Sequence, residues 1–356
     1  MNTFIPSGRV YVLGAGASVF AGYPLASALL PFIRDFQSFD IMTKEIASRV
    51  LEKLGQAESQ FKKTVIRDAN KDPNLEEVLT YLELYRSFPG TPFDWNPWNS
   101  SDSGAIRRTI TEKFLGYQHD LHKMAWGSGP TPGRITVDMN QFRSVAEAWA
   151  RMVKPGDVIL TFNWDILHEV IFWRSGLWSY RDGYGFQCDG QGQREEPSKV
   201  RMLKLHGSLN WVQEDDQDPV TEIANVRDFF VESKDWESRD HTSQAQVDSG
   251  RKLVLPTNLK DISSNKALLD IWSQAHKTIA NASELIVIGY SLNRVDHPAR
   301  LLFGIALSEN VILDRVTVVS PDTAEWDTFL SQLRKEIVRV PQRFEQWVRG
   351  RTPLSA

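Results

Sequence analysis

The sequence predicts an α/β fold, and three observations point to it. The apolar run Val10-Tyr11-Val12-Leu13 ends in Gly14-Ala15-Gly16-Ala17-Ser18. A β-rich run that closes in small residues and turns helical reads as strand, phosphate-binding turn, helix. Four further segments, 157–162, 200–205, 284–289 and 315–320, are short and rich in Val, Ile and Leu, as buried parallel strands are. Helical patterns follow the first, second and fourth of these five strands. Together they describe a Rossmann-like parallel sheet with a large, mostly helical insertion.

In the first turn, the two glycines let the backbone approach a ligand closely, and Ser18 is placed to cap a helix or to donate to a phosphate. Val19 stands where the dinucleotide fingerprint carries its third glycine, and Asp35, near the spacing of a ribose-binding acid, falls in the helical stretch 25–36. The turn alone therefore fits either a nucleotide site or a plain strand-to-helix connection. Region 36–155 has few strand signals. Helical periodicity at 41–54, 75–86 and 142–153, interrupted by a Trp- and Pro-rich loop at 91–104, makes it the insertion. A second insertion, 212–250, is polar and acidic and reads as a solvated loop. Residues 323–349 read as two helices broken at Pro341, so that 326–356 is expected to form a helical tail beyond a main unit at 1–325.

Composition narrows the function classes. The 356 residues are 41% hydrophobic and 24% charged, with a net charge of −4; that balance fits a soluble core and gives no general basic surface for nucleic acid. Cys188 is the only cysteine, which excludes an internal disulfide framework and a cysteine-based zinc module, and no metal site is expected. The start of the chain lacks the pattern of a signal peptide, and no apolar run approaches the ~20 residues of a membrane-spanning helix. A cytoplasmic protein with no membrane partner is the expectation.

Three more motifs lie at strand ends, where an α/β sheet presents groups to ligands. They are Thr161-Phe162-Asn163-Trp164-Asp165, then His206-Gly207 and then Gly289-Tyr290-Ser291-Leu292. Singly, each has a structural account: Asn163 or Asp165 capping the next helix, His206 holding a turn, Gly289-Tyr290-Ser291 entering a helix.

As an ordered set, with Gly22-Tyr23-Pro24 and the extension Ile166-Leu167-His168, these motifs resemble the sirtuin family of NAD-consuming enzymes. The resemblance spans about residues 8–325 and lies in the motif islands. It implies that Gly14, Ala15, Gly16, Ser18, Gly289 and Ser291 hold the phosphates and adenosine side of NAD, with Tyr23, Pro24 and Thr161 also lining the cofactor site. It places Asn163 at the nicotinamide ribose, His206 as general base, and Asp165 in support of the pocket or the following helix. Two departures redirect the reaction. One cysteine cannot build the four-cysteine zinc module of the deacylases, and Leu25-Ala26-Ser27 stands where they carry an acidic residue near the nicotinamide amide. Both departures, with Trp164, Leu255-Pro256-Thr257 and the helical stretch 267–280, are similar to the bacterial anti-phage branch that hydrolyses NAD. The resemblance thus implies an NAD-depleting effector controlled by homo-oligomerisation or by a separately encoded partner such as an ATPase or nuclease. Its alternatives are a non-catalytic sensor of ADP-ribose-like nucleotides, and a protein deacylase or ADP-ribosyltransferase.

Overall fold

The computed structural model describes residues 4–35, 41–64, 73–87, 100–126, 137–180, 182–186, 196–212, 225–226, 251–253, 255, 262, 266–294 and 296–351. Its centre is a six-stranded, all-parallel sheet. Strand β1 (Arg9–Leu13) is flanked on one side by β2 (Val158–Thr161) and then β3 (Arg201–Lys204). On the other side lie β7 (Glu284–Ile288), β8 (Arg315–Val319) and β9 (Glu336–Val340). Renumbered within the sheet, the order is 3-2-1-4-5-6, that of doubly wound nucleotide-binding sheets. The fold is α/β and Rossmann-like, as expected. Leu13 pairs with both Thr161 and Ile288, and Thr161 with Lys204, so four strands end level with one another. Whatever follows them emerges along one edge, and the direction of winding reverses between β1 and β7.

Helices cover this sheet. The insertion is mostly helical, with α1 (Leu29–Arg34) leading into α2 (Ile41–Thr64), α3 (Leu75–Ser87), α4 (Ser100–Trp126) and α5 (Met139–Met152). Helix α3 opens with a reciprocal capping pair: Glu77 N–H donates to Asn74 Oδ1 and Asn74 N–H to Glu77 Oε2, both at 2.9 Å. Asp138 caps α5, accepting from the amides of Asn140 and Gln141, and α5 buries Phe142, Val145 and Trp149. After β2 comes α6 (Leu167–Arg174); α7 (Lys266–Ala280), α8 (His297–Glu309), α9 (Ala324–Gln332) and α10 (Phe344–Arg351) complete the helices described. Among the described residues no helix is long and apolar enough to cross a membrane.

Several local expectations need correction. The chain leaves β1 through two short 3₁₀ turns, Ala15–Ala17 and Val19–Ala21, and the stretch read as a helix over 25–36 is a 3₁₀ turn followed by α1. Ser100–Gly104, expected in a loop, begins α4, while 91–99 lie outside the described residues. The tail is not wholly helical: Glu336–Val340 pairs in parallel with β8 as the sheet's outer strand. Five residues with two charges among them carry too little alternation to announce an edge strand. The segment after β3 runs directly into β4 (Gly207–Val212), which pairs antiparallel with β5 (Asn225–Val226) and β6 (Arg251–Leu253) in a small second sheet. The rest of the polar insertion 212–250, Cys188 and Pro256-Thr257 lie outside the described residues.

Candidate functional site

The level strand ends bring the sequence motifs to one edge. Gly14 follows β1, Asn163 and Asp165 follow β2, His206 follows β3 and Gly289 follows β7. The first and last meet backbone to backbone. Gly16 N–H donates to Gly289 O at 3.0 Å. A Cβ added at Gly14 would stand 2.6 Å from Gly289 O, and one at Gly16 would stand 2.7 Å from Gly289 Cα. Gly289 itself has φ +60°, a left-handed conformation that favours glycine. Close approach of two turns thus accounts for these three glycines. The amides of Gly14, Gly16, Ala17 and Ser18 all donate to backbone carbonyls, those of Ile288, Gly289, Gly14 and Ala15. The turn spends four of its donors within the protein.

Ser18 neither caps a helix nor faces solvent. It is buried, donating from Oγ to Asp165 Oδ2 and accepting from Asn163 Nδ2, each at 3.1 Å. Asn163 Nδ2 donates also to Gly14 O at 3.0 Å, and the Asn163 amide donates to Thr161 Oγ1 at 3.1 Å. Both amide hydrogens of the Asn163 side chain are therefore committed, and its Oδ1 has no partner among the described residues. The oxygen is an acceptor held in a fixed orientation. Asp165 Oδ1 accepts from Leu167 N–H at 3.1 Å and so secures the first turn of α6. Burial pushes the Asp165 carboxyl above its ordinary pKa, opposed by the Lys204 cation and by these hydrogen bonds.

Beneath this loop lies a group that sequence reasoning did not single out. Lys204, the last residue of β3, has no exposed surface. Its Nζ donates to Asp165 O at 2.5 Å, Trp164 O at 3.3 Å and Glu169 Oε1 at 2.6 Å. Burial raises the Glu169 pKa, and the lysine opposes that shift. Tyr184 OH donates to Glu169 Oε1 at 3.2 Å and lies within hydrogen-bond reach of Asn210. The one signal available was a lysine set between Leu203 and Leu205 near the end of the segment 200–205.

His206 sits at the mouth of β3, almost fully buried. Its ring packs edge-on against Phe162, which in turn stacks on Tyr290 with ring centres 4.1 Å apart. His206 Nε2 lies 3.9 Å from Asp296 Oδ2. The same carboxylate oxygen accepts from Tyr290 OH at 3.1 Å, while Oδ1 caps α8 through Ala299 N–H. Asp296 was also missed; the signal for it was an aspartate two residues ahead of a proline at a helix start.

The remaining residues hold outlying positions. Ser291 is exposed, just past Gly289, and the next residue, Leu292, is buried with φ 52° while Arg300 donates to its carbonyl. Tyr23 is buried against α4, its hydroxyl bonded to Gln118 and its ring 5.0 Å from that of Tyr117, and Pro24 is partly exposed beside it. Here the tyrosine joins the insertion to the sheet. His168, from the same motif as Asn163, is buried against Trp149 of α5. Its Nδ1 accepts from Trp149 Nε1 at 3.1 Å, and burial first, then Lys204, pull its pKa down to about 3. It is a neutral structural histidine. Among the described residues no group of three or more His, Cys, Asp or Glu could hold a metal ion.

No protein-family model and no curated protein matches the chain. The arrangement offers a fixed amide acceptor, a neighbouring imidazole and an exposed hydroxyl along the edge where winding reverses. That edge is where sheets of this topology take their ligands.

Proposed function

We propose that this chain cleaves NAD to nicotinamide and ADP-ribose. The observation that carries the reading is the pairing of Asn163 and His206 at the ends of adjacent strands, with Asn163 Oδ1 fixed and open. The nicotinamide–ribose bond is already weakened, since the base leaves a pyridinium cation as a neutral ring. An enzyme has to hold the sugar, exclude bulk water and steady an oxocarbenium-like centre. Asn163 Oδ1 accepts from a ribose hydroxyl or from the attacking water. As the water oxygen bonds C1′, the C1′–N electron pair leaves with nicotinamide and the water proton passes to His206. Phe162 and Tyr290 wall the site with apolar surface. Asp165 acts indirectly, holding Ser18 and the start of α6. Of the phosphate-binding set, the Ala15 amide and the Ser291 hydroxyl, which have no hydrogen-bond partner among the described residues, are assigned to the ligand, while Gly14, Gly16 and Gly289 serve by close packing.

The setting implied by the sirtuin-like motifs, NAD depletion in anti-phage defence under control of self-assembly or a partner protein, belongs to the same proposal and rests on that resemblance. The test is NAD turnover by the purified chain, with products separated by chromatography. Nicotinamide and ADP-ribose are expected from the wild type. His206→Ala should slow the reaction ~100- to 10,000-fold, the usual worth of a general base, while nucleotide still binds. Asn163→Ala should fail in both cleavage and ribose binding. Tight nucleotide binding without cleavage would replace this reading by the sensor, and NAD loss only in the presence of an acylated peptide would replace it by the deacylase.

A further inference from the structure

We infer that Asp296 is the positioning partner of His206, a residue that sets the orientation of the imidazole and receives its charge when it takes a proton. The inference rests on the reading of His206 as general base. Two contacts hold the carboxylate and a third holds its backbone. Oδ2 accepts from Tyr290 OH at 3.1 Å, Oδ1 accepts from Ala299 N–H at 3.4 Å, and the Asp296 amide donates to Asn293 O at 3.0 Å. The side chain is buried, so its charge has to be met by neighbours. His206 Nε2 lies 3.9 Å from the same Oδ2 that Tyr290 touches, and the Phe162–Tyr290 stack fills the space beside both. Protonation of the imidazole therefore places a cation 3.9 Å from a carboxylate whose two oxygens are already held by Tyr290 OH and Ala299 N–H.

The link also explains the shape of the segment after β7. Between Gly289 and the start of α8 the chain makes a bend through Leu292, held by the Arg300 bond to its carbonyl. Asn293 Nδ2 donates to Glu76 Oε2 at 3.0 Å, tying the bend to α3 of the insertion. The insertion, the Ser291 loop and the imidazole partner are thus one connected unit, and Asp296 is its point of contact with His206.

The test is a double-mutant cycle on NAD cleavage with Asp296→Asn and His206→Ala in the full chain. Asparagine keeps the helix cap and the size of the side chain, so folding is retained. The expected result is a fall in kcat of roughly tenfold or more in Asp296→Asn, below the ~100- to 10,000-fold of a lost general base, with KM little changed. In the His206→Ala background the same substitution should cost nothing further, because a residue acting through His206 has nothing left to act on. Equal losses in both backgrounds would overturn the inference and assign Asp296 to structure alone. The NMR resonances of the His206 ring, identified by their loss in His206→Ala, give a readout that does not require turnover. Asp296→Asn should displace them, and unmoved resonances would again overturn the inference. If the wild type does not cleave NAD, the proposed activity fails while the ring resonances still decide the pairing.

Discussion

A lysine with no exposed surface must have its charge answered by protein groups, and Lys204 is answered by one carboxylate and two carbonyls. Removing it strands Glu169. Lys204→Met should therefore destabilise the fold by about 3–5 kcal/mol in urea unfolding, and adding Glu169→Gln should recover much of the loss. A small effect of the single substitution would mean that Glu169 is neutral in the folded state. His168 supplies a second residue-scale prediction with a definite sign. Its pKa falls from 6.5 in the open chain to about 3 in the fold. Above pH 6.5 it is neutral in both states and contributes no pH dependence. Between 6.5 and about 3 the unfolded chain binds the proton and the folded one does not, so stability falls as pH falls, by up to about 1.4 kcal/mol per pH unit. The raised carboxyls of Asp165 and Glu169 act with the opposite sign, since the fold retains their protons as pH rises. Comparing wild type with His168→Gln across pH 7 to 5 cancels those shared terms, and the wild type should show the steeper acid-side loss. Residue types at the strand ends were legible in the sequence because small and polar residues there break an apolar pattern. The partners of those residues were not, since Lys204 and Asp296 reach their neighbours only through tertiary packing.

At the scale of elements, the first turn and the turn after β7 behave as one unit. The first turn fits either a nucleotide site or a plain strand-to-helix connection in the sequence, and the structure shows its backbone in contact with the second turn through Gly14, Gly16 and Gly289. A methyl group at Gly16 meets backbone that has little room to retreat. Gly16→Ala is thus expected to destabilise the protein by about 1–3 kcal/mol, the usual cost of overpacking, seen as a lower melting temperature without any nucleotide. An unchanged melting temperature with weakened nucleotide binding would instead give the glycine to the ligand. Strands β1, β2, β7 and β8 were legible because buried parallel strands are mostly apolar runs, and β3 because Val200, Met202, Leu203 and Leu205 dominate its segment. The outer strand β9 was not, for Glu336 and Arg339 interrupt its apolar residues where the sheet meets solvent. Strand β4 was hidden for a different reason: His206-Gly207 looks like a loop, whereas Leu205-His206 is a two-residue corner between sheets and Gly207 already begins β4.

Over the whole molecule, sheet order decides what the sequence spacing alone could not. Elements at 9–13 and 284–288 become neighbours, which places the reversal of winding between the two glycine turns. The chain's far end closes on its beginning in a similar way. Phe344 in α10 packs against Phe20 with ring centres 5.2 Å apart, against Trp149 of α5 at 5.4 Å and against His168 of α6 at 5.8 Å. Trp347 and Val348 are buried on the same helix. A short C-terminal helix therefore packs into the core behind the first turn. Because its contacts run to residues 176 to 324 positions away, α10 should unfold together with β1 and α5 and not fray beforehand. Phe344→Ala is expected to cost about 3–5 kcal/mol, the range for emptying a buried aromatic site. Hydrogen exchange provides the check. In the wild type, amides of α10 and of β1 should exchange at the same denaturant concentration, and in Phe344→Ala both should shift downward together. Early exchange of α10 alone, with β1 unmoved, would show the helix to be a separable appendage and would restore the division between a main unit and a tail.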